Sequence, residues 1–326
     1  MNNIQTDFFN HLKSRSPSYQ NVAQTIADVL KVSLNEAYKK ISGRSALSFQ
    51  QLIQLCDAFN TPFSYHPDKS DIVSFNIPKI DHEKPDMITY LKDLLENLKF
   101  IHSFKKKHIT ITTDDIPLFH FFKYPELTCF KLFFWADSLT SAQGKFEATM
   151  VTKEIIEYTK QLRELYMEIP STEIWSKDTV HGTIEQIRYA FEAGYLQDKE
   201  LANKILEQLG HCLTDINMYA ISSKKSTNIE HSFSWYCCDV LGSISYLVEY
   251  NDTICCFNRF NTFSYLKTEN PQYCAQTKQW MNGLIHKSVS FSGHGEKHRN
   301  KYLYNSYQEI DSMIDEISSN AWTLSK

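Results

Sequence analysis

Long apolar runs are missing from this 326-residue sequence: nowhere do 18 apolar residues follow one another. The opening stretch, MNNIQTDFFNHLKSR, also lacks the basic-then-apolar order of an export signal. Both absences speak against a membrane partner and make the cytoplasm the expected location. C-x-x-C spacing is missing as well. Eight cysteines are scattered, with Cys237–Cys238 and Cys255–Cys256 adjacent. Neighbours on a strand point to opposite faces, so neither pair is placed to grip one metal, and the cysteines read as small buried hydrophobes. No G-x-S-x-G, Walker loop or G-x-G-x-x-G occurs, so the common hydrolase, nucleotide-triphosphatase and dinucleotide sites lack support. The expectation is a protein that is not an enzyme, with no catalytic residue, metal ligand or cofactor.

What is present is a globular composition: 42% apolar and 22% charged residues, with 18 Tyr and 21 Phe. That lies far from the composition of disordered chains, and the length suits two or three domains. Charge is unevenly spread. Residues 1–66 hold six basic against four acidic side chains, a net of +2, while the remainder holds 28 against 34, a net of −6. An acidic body carries a mildly basic head.

Along the chain, the first sixty or so residues read as helices. Ser16-Pro17 looks like an N-cap with Pro at the first helical position, followed by an apolar stripe at Val22, Ile26, Val29 and Leu30. Ser33-x-x-Glu36 reads as a capping box, Gly43 as the left-handed stop, and Ser48-x-x-Gln51 as a second box opening FQQLIQLCDAF. Residues 67–86, broken by Pro67, Pro78 and Pro85, read as a linker with one short strand at IVSFNI. A helix is expected over 87–104, a strand at KKKHITITTDD, and helices through 152–222. From Phe233 the runs FSWYCCDV, SISYLVEY and TICCFNRF read as a strand meander, followed by a helix, a short strand (SVSFSG) and a last helix over 296–317. The expected fold is mainly α with a smaller α/β part. It divides into a helix-turn-helix head (1–66), linker (67–86), mainly helical body (87–230) and C-terminal α/β sensor-like domain (231–326).

Within IADVLKVSLNEAYKKISG, residues 26–43, helical-wheel positions at about 100° per residue turn Ala37 and Ile41 inward. Asn35, Lys39 and Ser42 then lie outward, with Tyr38 and Glu36 on the flanks. An amide, an ammonium and a hydroxyl on one short helix suit the major groove: Asn pairs with adenine, Lys reaches guanine acceptors, and Leu34 can touch a thymine methyl. Lys40 and Arg44 stand where phosphates would be met. The candidate DNA-binding residues are therefore Ser33, Leu34, Asn35, Tyr38, Lys39, Lys40, Ser42 and Arg44.

The spacing I-A-x-x-L-x-V-S-x-x-x-A-Y-K-K-I-x-G resembles the helix-turn-helix of the phage-repressor, or XRE, class of transcriptional regulators, over about residues 17–61. The resemblance implies a recognition helix over 34–42 and double-stranded DNA as partner. Two departures stand out: Ala23 occupies the place of a phosphate-holding Gln, and Lys40 replaces an apolar residue. Beyond the head, DIPLFHFFKYPELTCFKLFFW, IPSTEIW, FNTFSYLKTENPQYCAQTKQWMNGLIHKS and SFSGHGEKHRN are similar to a group of bacterial helix-turn-helix proteins, typical of Bacteroidetes, with a large C-terminal body. The C-terminal strands and helix also resemble catalytically dead effector domains that sense small molecules. A net head charge of +2 implies weak binding by one copy, so a homodimer is expected, with a candidate small-molecule ligand in the C-terminal body.

Two alternatives stand beside this reading. One is a metal-dependent enzyme using HGEKH, from His294 to His298, which spaces two His four apart as a metal site would, although Glu296 falls about 200° from His294 on the wheel. The other is a DNA-silent protein-interaction module. The dense aromatics Phe119, Phe121, Phe122, Phe130, Phe133, Phe134 and Trp135 read as a core or an interface, or as the lining of a ligand pocket.

Overall fold

Four short helices make up the described part of the head: α1 (Ile4–Ser14), α2 (Val22–Leu30), α3 (Leu34–Ile41) and α4 (Phe49–Ala58). The computed structural model describes residues 4–14, 16, 21–59, 61, 73–77, 85–140, 144–226, 232–241, 244–261 and 264–319. α2 begins later than Ser16-Pro17 suggests. Its N-cap is Asn21, whose side chain accepts from the Gln24 amide at 3.3 Å, while the Ser16 hydroxyl donates back to Leu12 O at 2.9 Å. Pro17 lies outside the described residues. Phe9 and Leu12 of α1, Ile26 and Leu30 of α2, Ala37 and Ile41 of α3, and Leu55 of α4 close a core that belongs to the head alone.

The rest of the chain is mainly helical around one seven-stranded mixed sheet. After α5 (Met87–His102) come β1 (Lys107–Thr113), α6 (Leu118–Phe121), α7 (Pro125–Asp137), α8 (Lys153–Met167), β2 (Ser171–Trp175), α9 (Thr179–Glu192) and α10 (Lys199–Ser222). They are followed by β3 (Phe233–Cys237), β4 (Ser245–Tyr250), β5 (Thr253–Arg259), β6 (Tyr265–Thr268), α11 (Pro271–Lys287), β7 (Val289–Ser290) and α12 (Glu296–Ser318). The strand order is β6-β5-β4-β1-β2-β3-β7, with β1, β2 and β3 parallel and the other neighbours antiparallel. No helix among the described residues is long and apolar enough to cross a membrane.

This topology departs from the sequence reading in three places. The span 152–222 is not continuously helical, because β2 sits inside it in the middle of the sheet. FSWYCCDV is not part of the meander: β3 pairs with β2 and β7, and only β4, β5 and β6 run up and down in order. Finally, β1 and β2 pair with β4 and β3 across residue 230, and one core runs from Leu91 to Ile317, so the sheet crosses the expected boundary between helical body and α/β domain. Alternation and apolarity mark a strand but do not name its partner.

One face of the sheet carries most of the helices. The other carries α11, whose Cys274, Met281 and Leu284 cover Leu247, Cys256 and Ile174. As expected for adjacent strand residues, Cys255 faces the main core and Cys256 the α11 side. Of the linker, residues 73–77 are described, and the strand expected there reduces to one pairing. Asn76 exchanges both backbone hydrogen bonds with Lys267 of β6, at 2.7 and 3.0 Å, and Ser74 O accepts from the Thr268 hydroxyl at 2.7 Å.

Alternation in S-T-E-I-W turns Glu173 toward the helix-covered face, where it is fully buried. Its carboxylate is surrounded by donors. His120 Nε2 of α6 stands 2.8 Å from Oε1, the Tyr166 phenol of α8 donates to Oε1 at 2.5 Å, and Trp175 Nε1 donates to Oε2 at 2.9 Å. Lys225, also buried, lies 3.5 Å over the Tyr166 ring and donates to Tyr166 O at 2.7 Å. Burial alone would raise the Glu173 pKa. The pull of His120, hydrogen bonds from His120 and Tyr166 and the charge of Lys225 outweigh it and hold the carboxyl below its ordinary value. Burial pushes Lys225 down to about 7, with Glu173 opposing.

Two stability effects follow. Glu173→Leu, of similar volume but with no acceptor oxygen, strands three buried donors and should cost about 3 to 5 kcal/mol by urea unfolding. In the wild type the Glu173 contribution is present above the unfolded carboxyl value and is lost as acid passes below the folded one. Lys225 works at the other end of the scale. Between pH 7 and about 10 the unfolded chain holds the extra proton, so stability rises with pH. The gap between wild type and Lys225→Met unfolding free energies should move by about 3 kcal/mol in favour of wild type across that window.

Candidate nucleic-acid interface

The turn between α2 and α3 is held by backbone geometry. Lys31 adopts φ 53°, the left-handed region that a side chain enters at some cost, and the Val32 amide returns to Ala27 O at 3.0 Å. Ser33 then caps α3, accepting from the Glu36 amide at 3.2 Å. The expected capping box is half formed, because the Glu36 carboxylate turns away and accepts from the Ser45 hydroxyl at 2.6 Å. That hydrogen bond keeps the Glu36 carboxyl below its usual value, with Lys39 and Lys40 helping against desolvation. The full box is at Ser48 and Gln51, where both reciprocal bonds measure 3.2 Å.

Ala37 and Ile41 are buried and Asn35, Lys39 and Ser42 are exposed, as the wheel requires. Tyr38 is 53% and Leu34 39% exposed, so α3 presents an amide, a phenol, an ammonium and an apolar edge on one side. Lys39 Nζ lies 3.7 Å from Glu36, an exposed pair of little energetic weight that leaves the ammonium able to reach outward. The Ser42 hydroxyl donates to Lys39 O at 3.1 Å, and Arg44 stands exposed on the following loop.

Lys40 does not join them. It is 6% exposed, and its ammonium turns back to donate to Ala46 O at 2.8 Å, so it is not placed to meet a phosphate. The wheel puts Lys40 next to the inward-facing residues, and its long stem packs there while the nitrogen finds a carbonyl.

A residue that the sequence reading missed completes the unit. Gln5 of α1 donates to Lys40 O at 2.7 Å and to Ser45 O at 2.8 Å, and its side-chain oxygen accepts from the Leu47 amide at 2.9 Å. Together with the Lys40 and Glu36 bonds, this fixes the loop that carries Arg44 against the end of α3. No local pattern around Gln5 announces the role, since its partners lie 35 to 42 residues away.

Elsewhere, HGEKH resolves into a helix start. Gly293 has φ +55°, Gly295 is the N-cap of α12, and a Cβ on Gly295 would lie 2.0 Å from Ser290 O. His294 and His298 are both exposed, and among the described residues no three His, Cys, Asp or Glu side chains gather to hold an ion. Phe119, Phe121, Phe122, Phe130 and Trp135 are buried in the main core, with Phe133 and Phe134 packed at its edge. The head meets the body where His11 Nε2 lies 4.0 Å from a Glu269 oxygen.

No protein family, curated protein or solved structure matches the chain.

Gln5→Ala should leave the Leu47 amide and the Ser45 carbonyl without the Gln5 partner and remove one of two bonds to Lys40 O, a loss of about 1 to 3 kcal/mol. Hydrogen exchange should speed up at residues 43–48 while the sheet amides keep their protection. Unchanged exchange in that loop would show that Gln5 does not hold it.

Proposed function

We propose that the chain is a sequence-specific DNA-binding transcriptional regulator that acts as a homodimer. The observation that carries this reading is the outward side of α3, where Asn35, Tyr38 and Lys39 stand exposed beside Leu34 on a helix capped at Ser33. In a major groove, Asn35 and Lys39 would read base edges and Leu34 a thymine methyl, while Arg44 would meet a phosphate. The head's net charge of +2 supplies little non-specific affinity, which favours two heads on neighbouring half-sites. The body would set the distance between them, and a small molecule bound in the body would act by changing it.

A second reading has one observation behind it. Leu34 and Tyr38 on α3, with Phe49 and Ile53 on α4, place exposed apolar surface on the head, as a protein-docking module would.

One experiment separates the two readings. Selection of genomic fragments by the full-length protein should return a shared sequence, and Asn35→Ala with Lys39→Ala should weaken its binding by at least tenfold. Arg44→Ala should weaken all sequences alike and reduce the salt slope by about 1, whereas Lys40→Ala should change stability and leave that slope intact. Sedimentation should show a dimer at micromolar concentration. No enriched sequence, or a variant pair that binds like wild type, would overturn the DNA reading and leave the docking module.

A further inference from the structure

The last helix, α12, lies on α9 and α10 and turns one long side outward. Its buried residues recur from Arg299 to Ile317 in steps of four and three. Two positions before each of them, about 200° away on the wheel, stand Lys297, Lys301, Tyr304, Gln308, Asp311 and Asp315. All six are exposed, and Tyr304 is 64% exposed at the middle of the line. The steps of this outer line also alternate four and three, the heptad rhythm with which two helices lie along each other at a shallow angle.

The charges on the line are sorted by sign. Both lysines stand in its first half and both aspartates in its second, so each half sets two like charges one turn apart. Such pairs destabilise a helix. The order also opposes the helix dipole, since Lys297 lies in the first turn of α12 and Asp315 in the last, each at the end that repels it. The chain does not relieve these charges itself. The ion pairs of α12 run from its flank, Glu309 to His181 and Glu316 to Arg188, and among the described residues none of the four outer charges has one.

A helix with the same sequence, running the other way, answers all of them. In an antiparallel pair centred on position 306, residues equally far from that centre meet. Lys297 then faces the partner's Asp315, Lys301 the partner's Asp311, and Tyr304 the partner's Gln308. Each pair of like charges is bridged by two opposite ones, and each helix end receives the sign that its dipole favours.

We propose that α12 is the contact between two copies of this chain, an antiparallel helix pair about a two-fold axis with Tyr304 at its centre. Because the patch is complementary to itself, assembly closes at two copies. The inference rests on the homodimer part of the reading above and is independent of DNA binding. Exposed ion pairs are each weak and screened by salt, so the dimer forms at micromolar concentration and loosens as salt rises.

Sedimentation of the full-length chain without DNA tests this. The wild-type dimer should dissociate at least tenfold more readily at about 0.5 M than at about 0.05 M salt. Lys297→Asp with Lys301→Asp should give a monomer at concentrations where wild type is a dimer, and so should Asp311→Lys with Asp315→Lys. Mixing the two variants should restore a dimer holding one of each, because every half then meets the opposite charge; misfolded chains would not recombine in this way. Tyr304→Ala should weaken the wild-type dimer. A dimer indifferent to both charge reversals overturns the proposal and leaves a homodimer formed elsewhere. Variants that do not recombine also overturn it. A wild type that stays monomeric overturns the homodimer reading with it, while the genomic selection decides DNA binding separately.

Discussion

A carboxylate held dry at the centre of the sheet is the constraint around which the body is arranged. Glu173 would be ruinous in that place alone, because an unpaired buried charge costs several kcal/mol. It is tolerated because two helices and its own strand deliver donors to it: His120 from α6, Tyr166 from α8 and Trp175 from β2. α6 and α8 are thereby fixed in position relative to β2. An apolar core accepts many arrangements of similar energy, whereas a charge with three required partners accepts few. The aromatic run around Phe119 to Trp135 packs on the helices that this requirement has already placed.

That arrangement also explains which parts of the fold could be read beforehand. The capped helices of the head were legible because their signals are local: Ser33 and Ser48 each stand three residues before the Glu or Gln of a capping pattern, and Ala37 with Ile41 marks the buried side. The strand β1 was legible from its alternation. β2 was not, since the strand is five residues long, carries a Glu where a core residue belongs, and is flanked by helical sequence on both sides. The polar residue that hides the strand is the one the body depends on. β3 was recognised as a strand, but its neighbours β2 and β7 come from distant sequence.

The candidate interface divides along the same line. The outward position of Asn35, Tyr38 and Lys39 follows from helix geometry and was visible in the sequence. Lys40 sits at the border of the inward side on the same wheel, and its charge drew it into the phosphate-facing set although its stem packs inward and its ammonium ends on Ala46 O. Gln5 was out of reach altogether, as its role exists only once α1 is packed against the loop after α3. The result is a candidate helix whose following loop is bonded from three side chains, on a head of modest charge.

The short pairing between Asn76 and Lys267 has a consequence for how two copies can meet. An open sheet usually offers its outer strands for addition of another chain's strand. Here Asn76 occupies the outward backbone groups of Lys267, Ser74 takes the Thr268 hydroxyl beside them, and at the opposite border β7 is two residues long. Neither border is a template of useful length. A second copy, if the proposed homodimer forms, would then be met through side chains on helices, where spacing depends on packing and can be altered by small shifts, rather than through a backbone ladder that would fix it in a single register.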